Sequence, residues 1–190
     1  MVEPEEHKEY RSGVGMLMYL VKHSRPDIAN VARELSKLMD KPSPAAMKEM
    51  YRVIKYILDT ASYGLKMALS KIDKDSGFTI VLFSDSDWAG YKDTRISVTG
   101  YCIFVQGCPI SWKSRGQKSV TFSSSEAELM ALSEATKKLK FIYKVMTSIG
   151  LKGKLLIICC VDNVGAIFIA DNATANPKSK HINTRAKYIS

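Results

Sequence analysis

The sequence predicts an α/β chain in which a mixed β-sheet is flanked by helices and preceded by a helical segment. Apolar residues recur at helical spacing between residues 8 and 58. Four β-rich runs, Phe78–Phe83, Thr99–Val105, Ile110–Lys113 and Leu155–Val161, read as strands. A long helical pattern from about Glu126 to Ile149 separates the third run from the fourth. The change of period divides the chain into a helical segment, residues 1–64, and a sheet-bearing domain, residues 65–190. With 190 residues, 46% of them apolar, such a chain can bury a core, which excludes wholesale disorder.

In order along the chain, Asp27 to Met39 carries Ile28, Val31, Leu35 and Leu38 on one helical stripe, and Pro26 stops the segment before it. Ser43 is the expected N-cap of the next helix, with Pro44 at its first position and Met47, Met50 or Tyr51, Ile54 and Ile57 or Leu58 as its stripe. Lys71 to Gly77 is a polar turn region, and Gly107-Cys108-Pro109 is the expected turn between the second and third strands. The first three strands form an antiparallel meander. The long helix buries Leu132, Ala135, Leu139, Ile142, Val145 or Met146, and Ile149, and closes at Gly150. Leu155 to Val161 is continuously apolar, which predicts a central strand buried on both faces. A last helix is expected from about Val164 to Ala170.

The formal charge is +9, from 28 basic and 19 acidic residues, so an anionic partner is expected, nucleic acid before an acidic membrane surface. No stretch approaches the roughly 20 apolar residues that span a bilayer. The acidic start lacks the pattern of a secretory signal, and Cys102, Cys108, Cys159 and Cys160 lack zinc-ribbon spacing. The expectation is a cytoplasmic or nuclear, non-secreted protein with four reduced, packed thiols. The sequence sets no oligomeric state.

Asp85 follows the first strand and Asp162 the fourth. If those strands are parallel neighbours, both carboxylates emerge at one sheet edge, where open α/β sheets place their sites. Glu128, in the first turn of the long helix, can reach the same edge. Grouped carboxylates repel one another unless a cation joins them, and hard oxygen ligands select magnesium or manganese. Two such ions about 4 Å apart can orient a water and stabilise the leaving oxygen of a phosphodiester. Each acid also has a plainer role. Asp85 and Asp87 suit a turn, Asp162 could cap the helix after it, and Glu128 fits a capping box with Ser125. Lys113, Arg115 and Lys118, with Gln117 among them, read as a basic hairpin arm, either ordinary surface or a phosphate-tracking face. Lys137, Lys138 and Lys140 form a second basic cluster.

Several strings then occur in a telling order: Ser84-Asp85-Ser86-Asp87-Trp88-Ala89-Gly90, Asp93 to Tyr101, Ile110 to Ser114, Gln117, Ser123-Ser124-Ser125-Glu126-Ala127-Glu128 and Val161-Asp162-Asn163. Together they resemble the ribonuclease H domain of copia-type LTR retrotransposon Pol polyproteins. Upstream, Tyr10-Arg11-Ser12, Arg25-Pro26-Asp27-Ile28-Ala29, Lys41-Pro42-Ser43 and Arg52 to Ile57 resemble the connection helices that follow the reverse-transcriptase core. The resemblance implies a ribonuclease H-like mixed sheet that cleaves the RNA strand of an RNA–DNA hybrid with two Mg2+ ions, or Mn2+. Asp85, Glu128 and Asp162 match the family's catalytic, metal-holding acids, Glu128 being preferred to Glu126 and Asp85 to Asp87. Arg95, Lys113, Arg115, Gln117 and Lys118 would face the hybrid. The reverse-transcriptase core would be a partner in the parent polyprotein.

Two departures from the pattern bear on activity. The family's fifth strand and last helix, with a further aspartate, are expected to be missing after Ser190. The usual Lys-His-Ile-Asp stretch reads Lys180-His181-Ile182-Asn183. They motivate the alternative of a catalytically inactive or domesticated fragment that binds nucleic acid or a protein partner.

Overall fold

The computed structural model describes residues 3–67, 78–91, 94–151, 155–163 and 165–167. The expected turn at 71–77, most of the expected 164–170 helix, and the 180–183 stretch with everything after it lie outside the described residues. The chain forms two compact units, Met1–Lys66 and Met67–Ser190.

In the first unit, α1 (Pro4–His23) is followed by a 3-10 turn (Pro26–Ile28), α2 (Ala29–Ser36) and α3 (Pro44–Asp59). The single 27–39 helix expected from the apolar spacing is thus a 3-10 turn and a shorter α-helix. Ser43 caps α3 as expected, its Oγ accepting from the Ala46 N–H at 3.1 Å. Burial resolves the two open stripe positions: Met50 is buried while Tyr51 is exposed, and Ile57 packs on the core while Leu58 is exposed. Tyr10 is fully buried and donates its hydroxyl to the Leu35 carbonyl at 2.8 Å, which ties α1 to the end of α2. Arg25 reaches Asp27 with Nε and Nη2, and its Nη2 also donates to Thr60 Oγ1 at 2.8 Å. The Arg-Pro-Asp string therefore pins the 3-10 turn against the end of α3.

In the second unit, β1 (Phe78–Asp87), β2 (Val98–Val105) and β3 (Cys108–Gly116) form the expected antiparallel meander, and β4 (Leu155–Cys160) adds parallel to β1. Strand order is β3-β2-β1-β4. Such a four-stranded mixed sheet with α4 (Ser124–Ser148) on one face is a mixed α/β architecture consistent with a ribonuclease H-like fold. Ile80, Leu82 and Ile103 point from the sheet into a core completed by Leu132, Ala135, Leu139, Ile142 and Met146 of α4. Val145 and Ile149 are exposed.

The hairpin turn lies one residue earlier than expected. Gln106 (φ 49°) and Gly107 (φ 78°) are its two central residues, both left-handed, the combination that matches strand twist in a two-residue hairpin. Cys108 and Pro109 already belong to β3. A register shift between Ile103 and Phe104 leaves Ile110 as an extra residue, and Pro109 is tolerated because β3 is an edge strand of the described sheet. A second correction concerns β4. It is not buried on both faces: Leu156, Ile157 and Ile158 are each at least 41% exposed. An apolar run reports that a strand can be covered, not what covers it. Here β4 pairs on one side only among the described residues, and α4 packs across β1 and β2.

Candidate metal centre

Parallel pairing of β1 with β4 sets Phe83 opposite Cys160. Asp85 and Asp162 each lie two residues beyond that pair, so the register carries them to the same level of the sheet. The apolar run of β1 ends at Phe83, but the ladder continues to Asp87, and Asp85 lies inside the strand opposite Gly100 rather than beyond it. Glu128 reaches the same point from the first turns of α4. One carboxylate oxygen from each of Asp85, Glu128 and Asp162 lies within 4.8 Å of the others. Asp85 and Asp162 are exposed, and Glu128 is buried.

Glu128 is the fixed member of this triad. Its Oε1 accepts from the Ser86 N–H at 2.9 Å and from the Ser86 hydroxyl at 2.8 Å. Its Oε2 is buried without a hydrogen-bond partner. Burial pushes the Glu128 carboxyl above its ordinary range. The two Ser86 hydrogen bonds oppose that shift, and the charges of Asp85 and Asp162 add to it. A buried carboxylate oxygen left open beside two more carboxylates is an arrangement a divalent cation stabilises. The donor set, three hard oxygens, fits magnesium or manganese.

The plainer roles for these acids fall to their neighbours. The N-cap of α4 is Ser123, whose Oγ accepts from the Glu126 N–H at 3.1 Å, while Glu126 Oε2 accepts from the Phe122 N–H at 2.9 Å. Glu126 thus serves the helix start, and Glu128 does not. Asn163 rather than Asp162 caps the helical turn that follows β4, its Oδ1 accepting from the Ala166 N–H at 2.9 Å. Ser125 donates to the same Asn163 oxygen at 3.2 Å, which links the start of α4 to the end of β4. Gly165 permits this approach, since a Cβ there would lie 2.7 Å from Ser125 Oγ. Ser123→Ala is expected to cost about 1 kcal/mol of stability, read as a shifted urea midpoint with an unchanged slope.

Asp85 and Asp162 border a groove of about 710 Å3 whose lining includes Phe83, Cys102 and Cys160. All four cysteines are free thiols. Cys108 is buried but Cys159 is exposed, so the expectation of four packed thiols fails for Cys159.

The residues expected to face nucleic acid are not brought together at one place. Arg95 is exposed, in the left-handed region (φ 54°), on the loop between β1 and β2. Lys113 pairs with Glu134 of α4 at 2.5 Å. Arg115 and Lys118 line a separate cavity with Lys137. Gln117 is corrected: its side chain is buried, and its Nε2 donates to the Ala127 carbonyl at 2.9 Å and to Thr99 Oγ1 at 3.2 Å, so it joins sheet to helix instead of facing a ligand. Ser86 and Asn163 were not singled out by sequence reasoning, and Ser125, expected in a capping box with Glu128, bonds Asn163 instead. The signal for Ser86 is the Ser-Asp-Ser-Asp alternation, which puts serines and aspartates on opposite faces of the strand.

No protein-family model matches the chain. The retrovirus-related Pol polyprotein from transposon RE1 of Arabidopsis thaliana is 33% identical over 174 residues, covering 92% of this chain and 12% of that protein. The corresponding polyprotein from transposon TNT 1-94 of Nicotiana tabacum is 33% identical over 188 residues, covering 95% and 13%. The secreted RxLR effector protein 161 of Plasmopara viticola is 40% identical over 129 residues, covering 68% of this chain and 87% of that protein. The chain thus spans about an eighth of the length of the polyproteins it matches. Among the described residues, no helix is long and apolar enough to cross a membrane.

Proposed function

We propose that the chain derives from a transposon Pol polyprotein like those it is similar to, and that residues 65–190 form a ribonuclease H domain that hydrolyses the RNA strand of RNA–DNA hybrids. Residues 1–64 are the connection to a reverse-transcriptase core. The observation that carries this reading is the approach of Asp85, Glu128 and Asp162 to within 4.8 Å, with Glu128 Oε2 buried and unpartnered. These three residues would hold two Mg2+ ions, or Mn2+. When bound, such ions supply an activated water and stabilise the charge on the leaving oxygen. Ser86 does the positioning. By occupying Glu128 Oε1 from both backbone and side chain, it fixes the rotamer and leaves Oε2 free. The basic balance of the chain supplies attraction for a polyphosphate.

The test is cleavage of an end-labelled hybrid over a titration of magnesium and of manganese. The expected result is metal-dependent fragmentation of the RNA strand only. A wild-type protein that never cuts across both titrations overturns the nuclease reading. The effector relative favours a second reading, since it is a shorter protein that this chain nearly covers and it bears no polyprotein name. In that reading the fold is retained to bind nucleic acid or a protein partner without catalysis. It predicts salt-sensitive hybrid binding and no cleavage, so a gel shift and a cleavage assay on one sample separate the two.

A further inference from the structure

We propose that Cys160 is a thiol modification site, where a small disulfide such as oxidised glutathione forms a mixed disulfide that blocks the groove beside the carboxylates. The consequence for cleavage rests on the proposed function; the site itself rests on the register of the sheet and on the groove.

The register sets two rows of residues on one face of the sheet. Cys102, Phe83 and Cys160 stand opposite one another on β2, β1 and β4. One row on, two residues away in each case, lie Gly100, Asp85 and Asp162. Residues two apart in a strand share a face and are about 7 Å apart. All six border the same groove of about 710 Å3. Cys160 therefore shares its groove with both exposed carboxylates. Cys159 does not share that face, because it pairs with Leu82, whose side chain enters the core under α4. Gly100 adds no side chain to the carboxylate row, and even a Cβ there would meet nothing closer than the Asp85 carbonyl oxygen at 3.8 Å.

Cys160 is a free thiol and only half-buried. Thiol–disulfide exchange needs a reachable thiolate. Burial pushes the Cys102 thiol up, which lowers its share of thiolate and leaves Cys160 as the better nucleophile of the row. In the exchange, the Cys160 thiolate attacks one sulfur of oxidised glutathione. The S–S bond of that molecule breaks, a new one forms to Cys160, and the second glutathione leaves as its thiolate. The incoming disulfide is the oxidant. No neighbouring thiol resolves the adduct. Cys102 is two strand spacings away, roughly 10 Å, beyond the roughly 7 Å between Cα atoms that a disulfide spans, and Cys159 faces the other way. The adduct therefore persists until an external thiol reverses it. A groove of this volume suits a molecule the size of a tripeptide. The glutathionyl group also brings net negative charge beside Asp85 and Asp162, which repels a phosphodiester.

The full chain is treated with oxidised glutathione in EDTA, and adducts are located by peptide mass mapping. Cleavage in magnesium and hybrid affinity by fluorescence anisotropy in EDTA are measured before treatment, after it, and after dithiothreitol. The wild type is expected to carry the adduct at Cys160 and to lose about tenfold or more in both measurements, from an occluded groove and an unfavourable charge, with recovery in dithiothreitol. Cys159→Ser is expected to respond as wild type does. Cys160→Ser, compared with its own untreated form, is expected to lose less than about twofold. Circular dichroism of the treated protein should match the untreated one. An unmodified Cys160 overturns the site. So does an equal loss in treated Cys160→Ser, an adduct at Cys160 that changes neither measurement, or a treated protein that has unfolded. Failure of the nuclease reading is distinguishable. A wild type that binds hybrid but never cuts removes the enzyme, while the position of the adduct and the loss of metal-free binding remain readable.

Discussion

Glu128→Gln is expected to abolish hybrid cleavage, by on the order of a thousandfold, while raising the melting temperature of the metal-free protein at pH 7. The two effects have opposite signs because one carboxylate serves opposite needs. In the metal-bound site its charge is a ligand. In the metal-free protein that charge is buried, with Oε2 unpartnered and two carboxylates close by. Burial raises the folded-state pKa of Glu128 above the unfolded value of about 4.3. The stability tied to its neutral form is therefore fully present below that value and is lost as pH rises through the folded value. Gln never ionises, so its advantage over wild type is absent near pH 4 and grows toward pH 7. Its carbonyl can still accept from Ser86, and Asp85 and Asp162 offer acceptors to its amide. Thermal melts in EDTA from pH 4 to 8 read the effect. A variant less stable than wild type at pH 7 would sink the account of a destabilised carboxylate. Asp85→Asn and Asp162→Asn are expected to lose cleavage equally but to change metal-free stability by less than about 0.5 kcal/mol, because both side chains are exposed.

The acids of this site were legible in the sequence because strand ends are. Two β-rich runs each terminating near an aspartate become one locus as soon as the strands are parallel neighbours, and pairing of Phe83 with Cys160 makes them so. What was not legible was the division of labour among adjacent polar residues. Ser123 and Ser125, Glu126 and Glu128, and Asp162 and Asn163 are interchangeable by residue type and differ only in where a helix start falls by one or two residues. Capping by Ser123 sends Glu126 to the helix start and Glu128 to the site, and capping by Asn163 leaves Asp162 to the site. Gln117 misled for a related reason. Flanked by Arg115 and Lys118, it reads as part of a solvated arm, but a polar side chain at a strand end can turn inward when a helix carbonyl waits there, as Ala127 does.

For the fold, hydropathy located every described strand, yet it failed on burial and on turn chemistry. The pattern within β1 shifts from apolar to Ser-Asp-Ser-Asp without ending the ladder, because backbone pairing with β2 does not depend on side-chain polarity. In β4, apolarity reflects a capacity for burial that the described neighbours do not use. The Gln106-Gly107 turn lacks the usual asparagine or aspartate. Gln106 is held in its left-handed conformation with its N–H donating to the Thr79 carbonyl and its Oε1 accepting from the Thr79 N–H.

Asp27→Ala is expected to destabilise the helical unit by about 2 kcal/mol, the largest effect of a single polar substitution there. Arg25 is the reason. Its side chain is only 6% exposed, and it pairs with the Asp27 carboxylate at 2.8 Å. Among the described residues, removing the acid leaves the buried guanidinium to Thr60 and the Tyr56 ring, 5.3 Å away. Breaking a buried pair from one side typically costs about 3–5 kcal/mol, and the 38% exposure of Asp27 lets water take up part of that loss. Hydrogen exchange of peptides from the 3-10 turn and α3 should quicken about thirtyfold at pH 7. The pH dependence follows from the Arg25 hydrogen bond, which holds the Asp27 carboxyl below its ordinary value, with Tyr56 assisting. The stability it contributes is present above the unfolded value of about 3.9 and is lost as pH falls through the folded one, so the variant and wild type should converge below pH 4. Replacing Arg25 by Met in the Asp27→Ala background removes the stranded charge and should restore part of the loss. If that double variant is no more stable than Asp27→Ala alone, the cost lies in backbone contacts of the turn and not in an uncompensated guanidinium.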